Sequence, residues 1–263
     1  MAMVFYKKRR LKQHLRHTQL VWCQTDVAVE RFRKAMGFAG RMGVCPNAVS
    51  QLVQNGTADP PMPEAIGAHS DRFKLFLLSR YYEHKNFRGM VEMFRRHSEA
   101  LKNVVVFTTV SPEHGSAARY FLREIEKPPV RGRIVNVGPL KQQDLAGYYL
   151  HCDALFLPTL LESFSGTYLE AMHFGMPILT SDLDFARAVC GDAALYFDPW
   201  KPASMCEAIV RLSNDSDMAR DLVEKGRRQL PKVSKSWDEI ATDVVGELHR
   251  LAALRGEVRI ATV

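Results

Sequence analysis

The sequence predicts an α/β protein with a doubly wound parallel sheet, and two observations support that prediction. From Phe73 to Leu212, apolar runs of strand length alternate with segments in which apolar residues recur at helical spacing. The strand-length runs are apolar on both faces, which is typical of parallel strands that helices cover on two sides. We therefore expect a Rossmann-like domain over the carboxy-terminal two thirds of the chain.

The part before Phe73 follows another pattern. Residues 4–17 predict a basic helix, and the apolar run Leu20–Thr25 predicts a short strand. Asp26 is expected to cap a helix that continues to about Met36, because a carboxylate accepts hydrogen bonds from the first N–H groups of a helix.

A segment rich in proline and glycine follows. Cys45-Pro46-Asn47 predicts a turn, and Asn55–Ser70 is the best linker candidate in the chain, because proline and glycine interrupt regular structure. This segment contains Gly56, Pro60, Pro61, Pro63 and Gly67. We therefore expect a domain boundary there.

The predicted elements of the main domain follow one another closely. Strands are expected at Phe73–Ser79, Val104–Val110, Ile134–Val137, Ala154–Leu157, Pro177–Thr180 and Ala194–Phe197. Helices are expected at Phe87–Leu101, Ala117–Ile125, Leu145–Leu150, Thr167–Phe174, Phe185–Cys190 and Ala203–Leu212. Two further helices, Asp217–Leu230 and Ser236–Leu254, close the chain.

Composition indicates a folded, soluble protein. Of the 263 residues, 46% are apolar and 25% are charged, which is close to the average for globular domains and argues against disorder or a fibrous repeat. The five cysteines are widely spaced and form no C-x-x-C pair, so a reducing cytoplasm is favoured over a disulfide framework or a zinc site. No apolar run approaches the roughly 20 residues needed to span a bilayer, and no signal-peptide pattern is present.

The net charge of +7 is concentrated at the start of the chain. Residues 1–41 carry ten Lys or Arg against Asp26 and Glu30, a net charge of +8. A helix over residues 4–17 with this charge could lie against an anionic membrane surface, or it could be a solvated or partner-facing helix, and both interpretations stay open. Nucleic-acid binding is not expected, because no recognition motif accompanies the charge.

The first candidate site follows the strand predicted at Ala154–Leu157. Ligands of an open parallel sheet bind beyond the carboxyl ends of its strands, and here a loop of small residues leads into a helix. Ser165 and Gly166 permit close approach of the backbone, and Thr167 could cap the helix, whose first N–H groups can meet a phosphate. The alternative is an ordinary capped start of a helix.

Two carboxylates flank this helix start. Glu162 lies in the loop and Glu170 lies one turn into the helix, so both are expected to border one crevice. Carboxylates suit sugar hydroxyls because each accepts two hydrogen bonds. Two glutamates that are merely solvated would look the same in the sequence.

The second candidate site is the loop after the first strand of the domain. Arg80 and Lys85 are cations in a strand-to-helix loop, where Arg can bind a diphosphate with two hydrogen bonds and Lys can bind it as a point charge. A solvated loop is the alternative. No G-x-G-x-x-G follows a strand and no G-x-x-x-x-G-K-[ST] occurs, so neither dinucleotide nor P-loop chemistry is expected.

These sites resemble those of a known family. The stretch from Phe73 to about Leu230 is similar to the donor-binding domain of retaining GT-B glycosyltransferases of the "glycosyl transferases group 1" superfamily. The matching segments are Ser79-Arg80, Lys85-Asn86, Val137-Gly138, Asp153–Pro158 and, above all, Glu162–Pro177 with its paired glutamates. Family members commonly have Gly where Ser165 stands, so the glycine is displaced by one position in this chain.

The resemblance implies a role for each candidate residue. Arg80 and Lys85 would hold the diphosphate, and Glu162 would contact the transferred sugar. Glu170 would bind the ribose hydroxyls. The full substrate-binding set is Ser163, Phe164, Ser165, Gly166, Thr167, Glu170 and Gly138. Because cations and N–H groups would neutralise the diphosphate, no cofactor and no bound metal are expected.

The resemblance also divides the chain. Residues 1–60 would be the remnant of the family's amino-terminal, acceptor-side domain with its crossing segment, and 61–72 would be a linker. Residues 73–230 would form the nucleotide-sugar-binding domain, and 231–263 a carboxy-terminal helix and tail. Most of the acceptor-binding domain is therefore expected to be missing from this chain.

The implied function is transfer of a sugar, with retention of configuration, from a nucleoside diphosphate sugar to a hydroxyl of a glycan or glycolipid in surface polysaccharide or lipopolysaccharide synthesis. The alternative is a non-catalytic nucleotide-sugar-binding module, or a subunit that needs a separate acceptor-binding partner. The expected location is the cytoplasm, including the inner face of the membrane through residues 4–17. A homo-oligomer or a partner subunit is compatible with an exposed domain remnant.

Overall fold

The computed structural model describes residues 2–51 and 60–254. The chain forms two compact units, one of Met1–Ala48 with Val233–Val263 and one of Val49–Lys232. The domain limits expected from the sequence stay a prediction, and residues 55–59 of the expected linker lie outside the described residues. Within 61–72, Glu64–Gly67 forms one helical turn in which Ile66 is completely buried.

The smaller unit contains a β-α-β segment. Strands β1 (Leu20–Cys23) and β2 (Arg41–Val44) pair in parallel, and the helix Asp26–Met36 connects them. The sequence predicted β1 and the helix but not β2, because Arg-Met-Gly-Val lacks a continuous apolar run. The helices Ala2–Leu15 and Trp237–Leu254 belong to the same unit.

The prediction that Asp26 caps the connecting helix is wrong. Thr25 holds the N-cap position, and its hydroxyl oxygen accepts a hydrogen bond from the N–H of Ala28 at 3.1 Å. Asp26 is the first helical residue. Thr and Asp both serve as caps, and an acidic side chain also stabilises the first turn of a helix. The local sequence therefore does not show whether the helix begins after Thr25 or after Asp26.

The larger unit holds a parallel sheet of six strands. The strands are β3 (Phe73–Leu77), β4 (Val104–Thr108), β5 (Ile134–Asn136), β6 (Ala154–Leu157), β7 (Ile178–Ser181) and β8 (Leu195–Phe197). Their order across the sheet is β5-β4-β3-β6-β7-β8. The chain winds to one side of β3 first and then, from β6, to the other side, which confirms the predicted doubly wound sheet.

Helices separate these strands and also follow the last of them. They are Phe87–Arg96, Ser116–Glu124, Leu145–His151, Gly166–Phe174, Asp184–Cys190, Pro202–Ser213 and Ser216–Val233. Single turns of 3-10 helix occur at Glu83–Lys85, Pro112–His114 and Gln142–Asp144. The prediction of a helix over Phe87–Leu101 was too long, because Leu101 keeps the apolar spacing but is buried from a turn that follows the helix.

Apolar strands produce the core of this unit. Every residue of β4 is buried, and Phe76, Phe107 and Phe156 are completely inaccessible to water. Each large side chain buried in this way stabilises the fold by about 1.5–3 kcal/mol. Among the described residues, no helix combines the length and apolar composition needed to cross a membrane.

Gly175 is expected to be the more sensitive of the two glycines that bound the helix Gly166–Phe174. It has a φ of +67° and donates its N–H to the carbonyls of Ala171 and Met172. Gly175→Ala should lower the free energy of unfolding by about 1–2 kcal/mol, because a Cβ disfavours the left-handed conformation. Gly166→Ala is the control, since no atom would lie within 4 Å of its Cβ. Equal urea-unfolding midpoints for the two variants would contradict this account.

Candidate functional site

The sheet order reverses between β3 and β6, and this reversal brings the two candidate loops together. β3 pairs with β6 in parallel, with Leu75 opposite Ala154. The loops that leave the carboxyl ends of these strands are residues 78–86 and 158–165. Because the chain winds away from such a point in opposite directions, a crevice opens between the two loops.

Hydrogen bonds to one backbone oxygen join the two loops. The carbonyl oxygen of His84 accepts from the N–H of Leu160 at 2.7 Å and from the hydroxyl of Thr159 at 3.0 Å. Thr159 is only 1% exposed, so its hydroxyl is shielded from competing water. The two contacts fix how far apart the loops lie.

Lys85 and Glu162 form an ion pair across the same junction. The Lys85 ammonium donates a hydrogen bond to Oε1 of Glu162, and each side chain is 14% exposed. Charges that are this well covered are screened less than charges on an open surface. The structure therefore brings together two of the three residues for which a catalytic role was predicted.

Arg80, the third of those residues, is exposed and makes no ion pair with any described carboxylate. Its backbone is nevertheless well fixed. The N–H of Ser79 donates to Oγ1 of Thr109 at 3.1 Å, and the N–H of Tyr81 donates to Nδ1 of His114 at 3.2 Å. An ordered backbone thus carries a guanidinium group that is available to a ligand.

Asn86 holds the start of the helix Phe87–Arg96. Its φ is +58°, and its Oδ1 accepts a hydrogen bond from the N–H of Gly89 at 3.2 Å. Its Nδ2 donates to the carbonyl of Pro199 at 2.8 Å. Sequence reasoning noted Asn86 only as part of a matching motif, although Asn directly before a helical pattern is itself a capping signal.

The helix Gly166–Phe174 begins without a side-chain cap. Ser165 occupies the N-cap position, but its hydroxyl pairs with the hydroxyl of Thr167 at 2.8 Å. The prediction that Thr167 caps the helix is wrong, because Thr167 is already its second residue. Among the described residues, none accepts a hydrogen bond from the N–H of Gly166 or Thr167, so both groups can meet an anion.

Ser163, Phe164 and Gly138 are three further residues of the predicted donor site. Phe164 is buried, whereas Ser163 is exposed. Gly138 follows β5 with a φ of +75°, a conformation that explains the glycine. Among the described residues, no hydrogen bond or ion pair joins Phe164 or Gly138 to the Lys85–Glu162 pair.

Glu170 is held by a buried tyrosine. The Tyr149 hydroxyl donates to Oε2 of Glu170 at 2.6 Å, and the Tyr149 ring stacks on Phe174 with 5.2 Å between ring centroids. Burial raises the pKa of Glu170, and the hydrogen bond from Tyr149 opposes this rise. Sequence reasoning missed Tyr149, since no local pattern links two residues on different helices. The crevice expected to be shared by Glu162 and Glu170 stays a prediction.

The sequence of this chain is similar to sequences of known proteins. The family model described as "Glycosyl transferases group 1" matches residues 60–229. Among curated proteins, O-antigen chain mannosyltransferase B of Escherichia coli is 26% identical over 121 residues, which make up 46% of this chain and 31% of the relative. The chain spans about a third to a half of the length of the curated relatives it matches.

Solved structures share the fold. Sucrose-phosphate synthase from Thermosynechococcus elongatus superimposes with a TM-score of 0.79 at 19% identity, covering 95% of this chain and 62% of that one. Anabaena HepE, solved in complex with UDP and glucose, gives a TM-score of 0.73 at 14% identity and covers 91% of this chain and 67% of that one. At these identities the likeness shows the fold alone.

The raised pKa of Glu170 predicts a pH dependence of stability. A carboxyl group whose pKa is higher in the folded protein favours folding when protonated, and this contribution is lost as the pH rises through the folded pKa. Glu170→Gln cannot ionise, so its melting temperature should exceed that of the parent at pH 8, with the difference shrinking as the pH falls towards the ordinary pKa of 4.5.

Tyr149→Phe provides the matched test. It removes the hydrogen bond that supports the ionised carboxylate, so the parent should be more stable than this variant by about 1.5–3 kcal/mol at pH 8. Thermal melts of all three proteins across this pH range check both expectations. Parallel profiles for the parent and Glu170→Gln would mean that Glu170 ionises as easily in the folded chain as in the unfolded one.

Proposed function

Because the chain belongs to the Glycosyl transferases group 1 family, we propose that it binds a nucleoside diphosphate sugar between the β3 and β6 loops and serves transfer of that sugar to a glycan hydroxyl. The observation that carries the proposal is the Lys85–Glu162 ion pair at the point where the sheet order reverses. The likeness to HepE, which was solved with UDP and glucose, supports this choice of ligand.

The diphosphate would be held by cations and backbone donors. Lys85 and Arg80 supply positive charge, and the N–H groups of Gly166 and Thr167 supply hydrogen bonds at a helix start. When the sugar leaves, negative charge develops on the diphosphate, and donors already in place lower the energy of that state. With these groups, the chemistry requires no metal from the protein.

Glu162 would change partners when the donor binds. In the structure its carboxylate accepts a hydrogen bond from Lys85. Diphosphate oxygens offer Lys85 a competing anion, and the released carboxylate can then accept hydrogen bonds from sugar hydroxyls. In this scheme Glu162 orients the sugar and is not itself the nucleophile, and the transfer proceeds with retention of configuration.

The other proposed contacts concern the rest of the donor. Glu170 would accept hydrogen bonds from the ribose hydroxyls through Oε1, since Tyr149 already occupies Oε2. Ser163, Phe164, Ser165 and Gly138 complete the proposed donor site around the two loops and the turn after β5.

We propose a glycan or glycolipid of a surface polysaccharide, such as lipopolysaccharide, as the acceptor. The similarity to O-antigen chain mannosyltransferase B supports that class. The chain would act in the cytoplasm or on the inner face of the membrane, where the exposed basic side chains of the helix Ala2–Leu15 would contact anionic lipids. Self-association or a partner subunit is part of the same proposal.

The donor site is expected to respond oppositely to substitutions of its two paired charges. Lys85→Ala should weaken binding of the matching nucleoside diphosphate (UDP, GDP or ADP) tenfold or more, because a charge-assisted hydrogen bond contributes about 1.5–3 kcal/mol. Glu162→Gln should tighten it, because Lys85 then has no competing carboxylate. Calorimetric titration, with the bare nucleoside in parallel, measures both effects.

Two controls sharpen that experiment. Arg80→Ala should resemble Lys85→Ala in discriminating nucleoside diphosphate from nucleoside. Lys102→Ala should change neither affinity, since Lys102 pairs with Glu99 before the amino end of β4. If none of the three nucleotides raises the melting temperature of the parent at millimolar concentration, the proposed donor site is refuted.

A second candidate function is a donor-binding module that works with a separate acceptor-binding partner. All proposed donor contacts lie in the unit Val49–Lys232, which favours this alternative. Positioning two reactants can lower a barrier by about 7–11 kcal/mol, so a module that holds donor alone should bind it but transfer sugar slowly or not at all. Rapid single-turnover transfer by the purified chain, with an identified acceptor and no partner, would exclude the module.

A further inference from the structure

A second concave region lies on one helical face of the six-stranded sheet. A cavity of about 510 Å³ opens between the helix Phe87–Arg96, the helix Ser116–Glu124 and the loop before Pro202. Small-molecule sites usually measure about 300–1,000 Å³. Arg80, Lys85 and Glu162 do not line this cavity, although Tyr81 and Asn86 of the loop 78–86 do.

The cavity combines an apolar floor with two exposed aromatic rings. Val91, Phe121 and Met205 form part of the floor and are 5%, 3% and 0% exposed. Trp200 and Tyr120 also line the cavity but are 63% and 53% exposed. Large aromatic side chains left this accessible beside a cavity mark a surface suited to binding, because their burial by a ligand is favourable.

Trp200 stands on an ordered loop. The backbone N–H of Trp200 donates to Oδ1 of Asp198 at 3.0 Å, and the backbone N–H of Asp198 donates to the hydroxyl of Ser204 at 3.1 Å. The carbonyl of Pro199 accepts a hydrogen bond from Asn86 at 2.8 Å. Since the loop is already fixed, a ligand that stacks on Trp200 would cost little ordering entropy.

The charged groups around the cavity largely neutralise one another. Arg96 pairs with Glu92 at 2.5 Å, and Arg95 pairs with Glu124. Lys127 and then Arg95 hold the pKa of Glu124 below its ordinary value, so this carboxylate stays ionised. A polyanion would meet two carboxylates here, whereas a neutral ligand with many hydroxyls can donate to carboxylates and accept from guanidinium groups.

We propose that this cavity binds a neutral oligosaccharide. The apolar face of a pyranose ring would stack on Trp200 or Tyr120, and ring hydroxyls would bond to Glu92 and to Arg88, which is exposed and has no ion pair among the described residues. That this oligosaccharide is a stretch of the growing glycan rests on the proposed function, whereas the cavity and its aromatic side chains carry the binding itself.

The three tryptophans of the chain, Trp22, Trp200 and Trp237, permit a direct test. The full chain labelled with 5-fluorotryptophan would be titrated with neutral trisaccharides of glucose, mannose or N-acetylglucosamine, and Trp200→Phe assigns the reporter resonance. At least one trisaccharide should shift the Trp200 resonance saturably and leave the other two in place. Tyr120→Ala should weaken that binding by about threefold to tenfold.

Matched controls separate the possible results. Trp237→Phe replaces an exposed indole outside the cavity and should leave saccharide affinity unchanged. The proposal is overturned if no trisaccharide moves the Trp200 resonance, or if inorganic phosphate moves it in their place. Binding of UDP, GDP and ADP, measured on the same samples, tests the donor site separately. If none of the three binds while a trisaccharide does, only the donor site is refuted, and the reverse result refutes only the saccharide site.

Discussion

Parallel pairing of β3 with β6 is the constraint on which the proposed donor site depends. The sheet is continuous across these two strands, but the chain winds away from them in opposite directions. The loops that follow the two strands therefore meet, and His84 fixes their separation through its carbonyl oxygen. Without this pairing, a cation in one loop and a carboxylate in the other would have no reason to be neighbours.

The Lys85–Glu162 pair affects ligand recognition because both side chains are mostly shielded from water. Removing well-covered charges from water is costly, and breaking such a pair leaves the remaining charge uncompensated. A ligand that offers substitutes for both partners, namely an anion for Lys85 and hydrogen-bond donors for Glu162, should therefore bind more tightly than a ligand that offers only one of them. Inorganic phosphate supplies mainly the first and a free sugar only the second, whereas a nucleoside diphosphate sugar supplies both. Recognition at this point would thus be selective for the intact donor.

The architecture could be predicted from the sequence because the patterns that determine strands and helices are local. Apolar runs and helical spacing predicted the six strands and the doubly wound sheet, whereas β2 was missed because its four residues carry no such run. Side-chain partners were harder to predict. Asp26 and Thr167 were both assigned as caps, yet each lies inside its helix.

In the candidate site, too, the positions of residues along the chain were easier to predict than their side-chain contacts. The family resemblance implied that Lys85 and Glu162 would serve one ligand, but not that they would pair with each other. Tyr149 and Glu170 meet only because two helices pack together, and neither local sequence indicates the contact. Positions along the chain were therefore predictable, but partners set by tertiary packing were not.

The pairing of β3 with β6 also bears on how the chain folds. The backbone N–H of Lys74 on β3 donates a hydrogen bond of 2.7 Å to the side chain of Asp153, which precedes β6 and lies 79 residues further along the chain. By contrast, the pairings of β3 with β4 and of β4 with β5 join strands that are closer together in the sequence. Closing so long a loop is entropically costly and tends to slow folding. An intermediate that contains only β3, β4 and β5 would carry Lys85 without Glu162 beside it. A bound donor would therefore stabilise the completed native state and slow its unfolding, without accelerating the earlier steps of folding.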